Sequence, residues 1–197
     1  ENFKIVWSSR SECGPSREKN EDSIYPKHSG SSLPPFKASV CDGLGGHVSG
    51  DVASKIASET LNLEIENLHE IITTANNNIL EFQNDNPESQ GMGTTMTVIS
   101  IDKNALIKIT EDQNVPGYQN VLKQALGSKE KLIVQEIDFQ LKVGDVILLC
   151  SDGLYNEVGD EYIKRKMQDG ISAETIVSEV LLLNPKDNVS AIVVNLI

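Results

Sequence analysis

Val146-Ile147-Leu148-Leu149-Cys150-Ser151-Asp152-Gly153 is the stretch on which the reading of the fold turns. Five apolar residues in a row predict a buried strand. An aspartate stands just past its end, and the glycine beside it lets another atom come close to the backbone. The same construction occurs earlier, where Phe36-Lys37-Ala38-Ser39-Val40-Cys41 delivers Asp42-Gly43. Two further acidic punctuations match it: Asn20-Glu21-Asp22 near the start, and Asp187-Asn188 just before Ala191-Ile192-Val193-Val194. A single Asp-Gly pair is an ordinary turn. Four strand-edge acidic sites spread over one chain suggest instead one oxygen-lined metal centre that only the fold assembles. Asp42-Gly43-Leu44-Gly45-Gly46 also crowds more glycine round one carboxylate than a turn requires.

Outward from these strand ends, residues 3–8 alternate as an exposed strand, residues 8–16 form a Ser/Gly/Pro-rich loop, and 28–35 read as a hairpin connection. Val52, Ile56, Ala57, Leu61 and Leu63 follow helical spacing, with Ser49 or Asp51 as N-cap. A second helix covers about 68–82, with Ile71, Ile72, Ala75, Ile79 and Phe82 as its stripe. A β-branched strand is predicted over 94–101 and a short helix over 119–126. Strands follow over 131–139 and 145–150, then helices over 160–168 and 173–183. The last helix is opened by Ser172, with Glu174 in its first turn. A strand over 189–197 closes the chain. Paired strands followed by paired helices predict layers, sheets inside and helix pairs outside.

At 197 residues the chain fits one domain, 1–197. Its 39% hydrophobic and 23% charged content is that of a soluble globular protein. A formal charge of −12 argues against a nucleic-acid partner, which needs clustered Lys and Arg. Cys13, Cys41 and Cys150 are too few and scattered for a disulfide framework. Cys41 and Cys150 read as small buried hydrophobes, and a thiolate is a poor ligand for a hard cation. Neither a signal peptide nor an apolar run of about 18 residues is present, so no membrane partner and a cytoplasmic location are expected.

Five motifs now stand in order: Arg17-x-x-Asn20-Glu21-Asp22, Asp42-Gly43-x-Gly45-Gly46, Gly93-Thr94-Thr95, Ser151-Asp152-Gly153-Leu154 and Asp187-Asn188-x-Ser190. Together they resemble the metal-dependent protein serine/threonine phosphatases of type 2C, the PPM family. Met92-Gly93-Thr94-Thr95 and Gly45-Gly46-His47 look like the bacterial branch. The resemblance implies an α+β fold: a four-layer α/β/β/α sandwich of two antiparallel β-sheets flanked by helix pairs. It also implies two Mn²⁺ or Mg²⁺ ions at one end, with a third in some members. By matching position, Asp42 would bridge both ions and Gly43 would offer its carbonyl. Glu21, Asp22, Asp152 and Asp187 would complete the shells directly or through water, and Arg17 would bind the substrate phosphate. The implied reaction is hydrolysis of phosphoserine or phosphothreonine in proteins by a metal-activated bridging water. The implied setting is a monomer opposing a Ser/Thr kinase or acting on that kinase's targets. The chemistry is coherent in itself: oxygen ligands and several waters suit Mg²⁺ or Mn²⁺, and a guanidinium fork matches phosphate oxygens.

Two positions depart from the family pattern. Leu44 stands where animal members carry a histidine proposed to protonate the leaving group; His47, three residues on, is the candidate for that acid, but it reads more simply as a helix cap, which leaves the role to water. A Gly-Asp-Ser-Arg segment linked to the third ion is also lacking. Asn104-Ala105-Leu106-Ile107 runs straight into Lys108-Ile109-Thr110-Glu111-Asp112. Deleting a strand would leave backbone groups unpaired, so a further segment is expected between 107 and 108 that this sequence does not carry. The alternative function is a pseudophosphatase, a regulatory interaction module. Such a module should have lost metal-binding carboxylates, and Glu21, Asp22, Asp42, Asp152 and Asp187 are all retained. A metal-dependent nuclease would need a basic surface that this chain lacks.

Overall fold

In the computed structural model, which describes residues 3–44, 49–110, 124–129 and 132–197, the described residues form nine strands and four α-helices. They are β1 (Ile5–Glu12), β2 (Asp22–Tyr25), β3 (Gly30–Ser32), β4 (Phe36–Asp42), α1 (Gly50–Glu59), α2 (Leu68–Asp85), β5 (Thr97–Ile101), β6 (Leu106–Thr110), β7 (Glu136–Gln140), β8 (Val146–Cys150), α3 (Asp152–Gln168), α4 (Ala173–Leu181) and β9 (Val189–Leu196). Two antiparallel sheets result, ordered β3-β1-β9-β8 and β2-β4-β5-β6-β7.

Three apolar layers hold the structure together, and β9 shows why its sequence is apolar at nearly every position. Ile192, Val194 and Leu196 pack between the sheets against Ile24, Val40, Ile99 and Leu149. Ala191 and Val193 project the other way, against Ile176, Val177 and Val180 of α4 and Leu154 of α3. A strand covered on both faces loses the alternation of a half-exposed one. On the far side, Cys41 and Val98 of the second sheet meet Ala53, Ala57, Leu68, Ile71, Ala75 and Ile79 of α1 and α2. The order helix, sheet, sheet, helix is the four-layer sandwich that the sequence predicts.

Caps and boundaries refine the prediction. The Ser172 side chain accepts the Thr175 N–H at the start of α4, as expected, and Asn67 does the same for Glu70 at α2. Ser49 precedes α1 without a side-chain cap; its hydroxyl meets that of Ser89 instead. β1 continues to Glu12, because β9 pairs with it from Ile5↔Leu196 to Glu12↔Val189. Part of the expected 28–35 connection is β3, which pairs with β1. Thr94 stands outside β5 and bridges Gly43 and Leu126. β7 begins only at Glu136. α3 begins at Asp152, and the helix start expected at 160 coincides with a break at Gly159, whose φ is 72°. The 107–108 junction lies inside β6, with Ile107 paired to Ile101 and Phe139. The helix expected over 119–126 falls largely outside the described residues. Among the described residues no helix is long and apolar enough to cross a membrane.

Candidate metal centre

Where the inter-sheet face of each strand runs out of apolar residues, an oxygen takes the next place. Phe36, Ala38 and Val40 of β4 face the gap between the sheets, and the next residue of that parity is Asp42. On β2 the step is from Ile24 to Asp22; on β9 it is from Ile192 to Ser190. The ladder sets Asp22 directly opposite Asp42. Across the gap Ser190 donates to Asp22 Oδ2 at 2.5 Å. Asp152 opens α3 just beyond β8, and Asp187 sits in the loop before β9.

Local structure fixes these acids individually. Asn20 Oδ1 accepts the Asp22 N–H at 3.1 Å. Asn188 ties two acidic segments together: its Oδ1 accepts the Glu21 N–H at 3.0 Å, and its Nδ2 donates to the Lys19 carbonyl at 3.1 Å. The Asp42 N–H donates to Thr95 Oγ1 at 3.0 Å, while its carbonyl accepts from Thr94 Oγ1 and the Thr95 N–H, both at 2.9 Å. The glycines after the two aspartates are required by close approach. A Cβ on Gly43 would lie 2.3 Å from the Gly50 carbonyl oxygen, and one on Gly153 would lie 2.0 Å from that of Asn188.

The electrostatics are those of carboxylates crowded into a partly buried place. Burial, then repulsion from Asp22, Asp152 and Asp187, pushes Asp42 from 3.8 to about 8, against a small opposing pull from Arg17. Asp22 rises to about 6, chiefly by burial; the hydroxyls of Ser190 and Ser151 pull it back. Asp152 is also raised, by burial first and then by Asp187. Arg17 supplies one positive charge: its Nη2 lies 2.8 Å from Asp187 Oδ2, and its Nε donates to the Lys186 carbonyl at 3.2 Å. Its Nη1 is 3.9 Å from Glu21 Oε2. Like charges gathered in a partly dry place favour protonation or a cation.

The donors fit a hard divalent ion. Arg17, Asp42, Gly43, Asp152 and Asp187 line a cavity of about 500 Å³, and Leu44 stands in its wall. Glu21 and Asp22 do not line it. Among the described residues no three acidic, histidine or cysteine side chains already converge to ligand spacing. Carboxylate and carbonyl oxygens are the donors that hard divalent cations take, whereas a closed zinc cage favours Cys and His. Cys41 is no ligand: complete burial pushes its thiol up to about 12. His47 lies outside the described residues. The structure thus brings Arg17, Asp22, Asp42, Asp152 and Asp187 together, with Glu21 beside Arg17. The sequence reading passed over Asn20, Thr94, Thr95, Asn188 and Ser190 as positioning groups; their signal was a hydrogen-bonding residue within one to three steps of an acid or a glycine.

No family model matches the chain. It is 28% identical to the serine/threonine phosphatase Stp of Listeria monocytogenes serotype 4b, over 79% of this chain and 82% of that one. To the serine/threonine protein phosphatase PstP of Mycobacterium tuberculosis it is 27% identical, over 98% of this chain and 45% of that protein. The crystal structure of the PstP catalytic domain in complex with two manganese ions matches with a TM-score of 0.83 at 25% identity, covering 99% of both chains. In sequence and fold the chain is similar to bacterial serine/threonine phosphatases. Like that solved structure it has the expected sandwich, with its acidic residues gathered at one end of the inter-sheet layer.

Proposed function

We propose that this chain hydrolyses phosphoserine and phosphothreonine in proteins, with Mn²⁺ or Mg²⁺ held by Asp42, Asp152, Asp187, Glu21, Asp22 and the Gly43 carbonyl. One observation carries the reading: carboxylates from four separate segments meet at the end of one apolar layer, and three of them are raised above their ordinary pKa. The bound ions supply Lewis acidity and lower the pKa of the water they hold. Thr94 and Thr95 keep the Asp42 backbone in place, so its carboxylate need not reorganise during the reaction. Ser190 steadies Asp22 behind it. Arg17 lines the same cavity and presents the fork that matches two phosphate oxygens, while Asp187 and the Lys186 carbonyl fix its direction. Water is assigned as the acid for the leaving group, with His47 as the alternative.

Retention of all five acids disfavours a pseudophosphatase. Three cysteines outside any disulfide suit a reducing cytoplasm, where a Ser/Thr kinase would supply the phosphorylated substrate. The test is turnover of a phosphothreonine peptide by purified protein with Mn²⁺ and with excess EDTA. Turnover only with Mn²⁺ is expected. Full turnover in EDTA contradicts the metal assignment, and none in either condition returns the chain to the regulatory class.

A further inference from the structure

We propose that Gln83 and Asn76, two buried amides of α2, are positioning residues that set Asp42 and Gly43 through a relay of hydrogen bonds. This rests on the metal-centre reading above. Gln83 is 3% and Asn76 7% exposed, on a helix whose other buried positions are mostly Leu, Ile and Ala. Gln83 Nε2 donates to the Gly127 carbonyl at 2.9 Å and the Met92 carbonyl at 3.3 Å, and its Oε1 accepts the Gly91 N–H at 3.0 Å. Both amide hydrogens and the oxygen are used. Asn76 Oδ1 accepts the Gly127 N–H at 2.9 Å. Two side chains of one helix thus grip two loop segments, at 91–92 and at 127.

Those segments pair with each other and then with the acid. Thr94 donates its N–H to the Leu126 carbonyl at 3.2 Å, and Leu126 returns the bond at 2.9 Å. On its other side Thr94, with Thr95, makes the three bonds that fix the Asp42 backbone. The Gly93 carbonyl accepts the Leu44 N–H at 3.0 Å, so Asp42-Gly43 is held before and after. The joint has no slack. Gly127 has φ +93°, and a Cβ there would lie 2.5 Å from the Met92 carbonyl oxygen and 3.2 Å from Gln83 Nε2. An apolar residue at position 83 would fill space but could not fix the direction of three backbone groups, and the Met92 and Gly127 carbonyls would lose this partner in buried surroundings. Ligand geometry tolerates errors of only about 0.5 Å, so a loosened segment 92–95 should be felt at the ions.

The experiment compares Gln83→Met and Asn76→Leu with Val180→Ala, a cavity variant in the α4 layer remote from the relay. Mn²⁺ affinity is read by calorimetry on metal-free protein, and kcat and KM on a phosphothreonine peptide, below each variant's unfolding range. Gln83→Met should weaken Mn²⁺ binding by about 10–100-fold, as loss of groups supporting metal ligands commonly does. It should also lower kcat while leaving KM nearly unchanged. Asn76→Leu removes one acceptor and should shift both readouts the same way by less; it carries the test if Gln83→Met does not fold. Val180→Ala should lose stability alone. Lowered stability with unchanged Mn²⁺ affinity and kcat in both amide variants would make them ordinary core residues and overturn the proposal. Failure of the wild type itself to bind Mn²⁺ would overturn the metal-centre reading, and the relay with it.

Discussion

Val40 and Asp42 stand two residues apart on the same face of β4 and line the same cavity, yet they pull in opposite directions. Val40 belongs to the layer of Ile24, Ile99, Ile192 and Val194, where removal from water stabilises by roughly 25 cal/mol per Å² of apolar area. Asp42 belongs to a cluster in which burial and neighbouring carboxylates disfavour its charge. The middle of the inter-sheet layer therefore folds the chain, while burial and like charge at its end work against folding. Stability and activity should separate along a single strand.

Asp42→Asn should separate them most widely. It keeps the size and removes the charge, so kcat should fall at least about 100-fold, the cost of losing a key charge-stabilising group. Melting in chelator should be no lower than for the wild type, because the repulsion with Asp22, Asp152 and Asp187 is relieved. A near-normal rate would break the comparison at its acidic end. Ile192→Ala should do the reverse: a loss of about 2–5 kcal/mol in denaturant unfolding, with Mn²⁺ affinity of the folded fraction kept. Weakened metal binding there would show that the two regions are not independent.

Arg17→Ala sharpens the acidic end by separating substrate from metal. KM for a phosphopeptide should rise about tenfold or more with loss of the charged fork, and Mn²⁺ affinity should hardly change. A collapsed Mn²⁺ affinity in calorimetry would assign Arg17 to the support of Asp187 instead. Ser190→Ala should have the smallest effect. It removes one hydroxyl from Asp22, worth about 1 kcal/mol in urea unfolding of the metal-free protein. Unchanged unfolding would mean that Ser151 suffices for Asp22.

β4 and β9 were legible because covering both faces, or ending in an acid, leaves a local mark on sequence. The stripes of α2 and α4 were legible for the same reason. β8 was placed correctly, but it is an edge strand with only Leu149 buried and not the buried strand its apolar run predicts. β1 beyond Ser8 was not, since Ser9-Arg10-Ser11-Glu12 is a strand only because β9 pairs with it. α3 was read eight residues short because Gly159 interrupts any continuous stripe. The acids could be named one by one from strand ends, but their supports could not. Thr95 is 53 residues from Asp42, and Ser190 is 168 from Asp22. Spacing in the chain carries no information about partners that far apart; only the register of the two sheets does.

Calorimetric titration of the metal-free protein with Mn²⁺, run in parallel on Asp42→Asn and Ile192→Ala, tests the division of labour most directly. Two ions should bind per wild-type chain, Ile192→Ala should give the same stoichiometry while folded, and Asp42→Asn should lose or greatly weaken binding. No saturable binding by the wild type, or one isotherm shared by wild type and Asp42→Asn, would contradict a metal centre at the end of the inter-sheet layer.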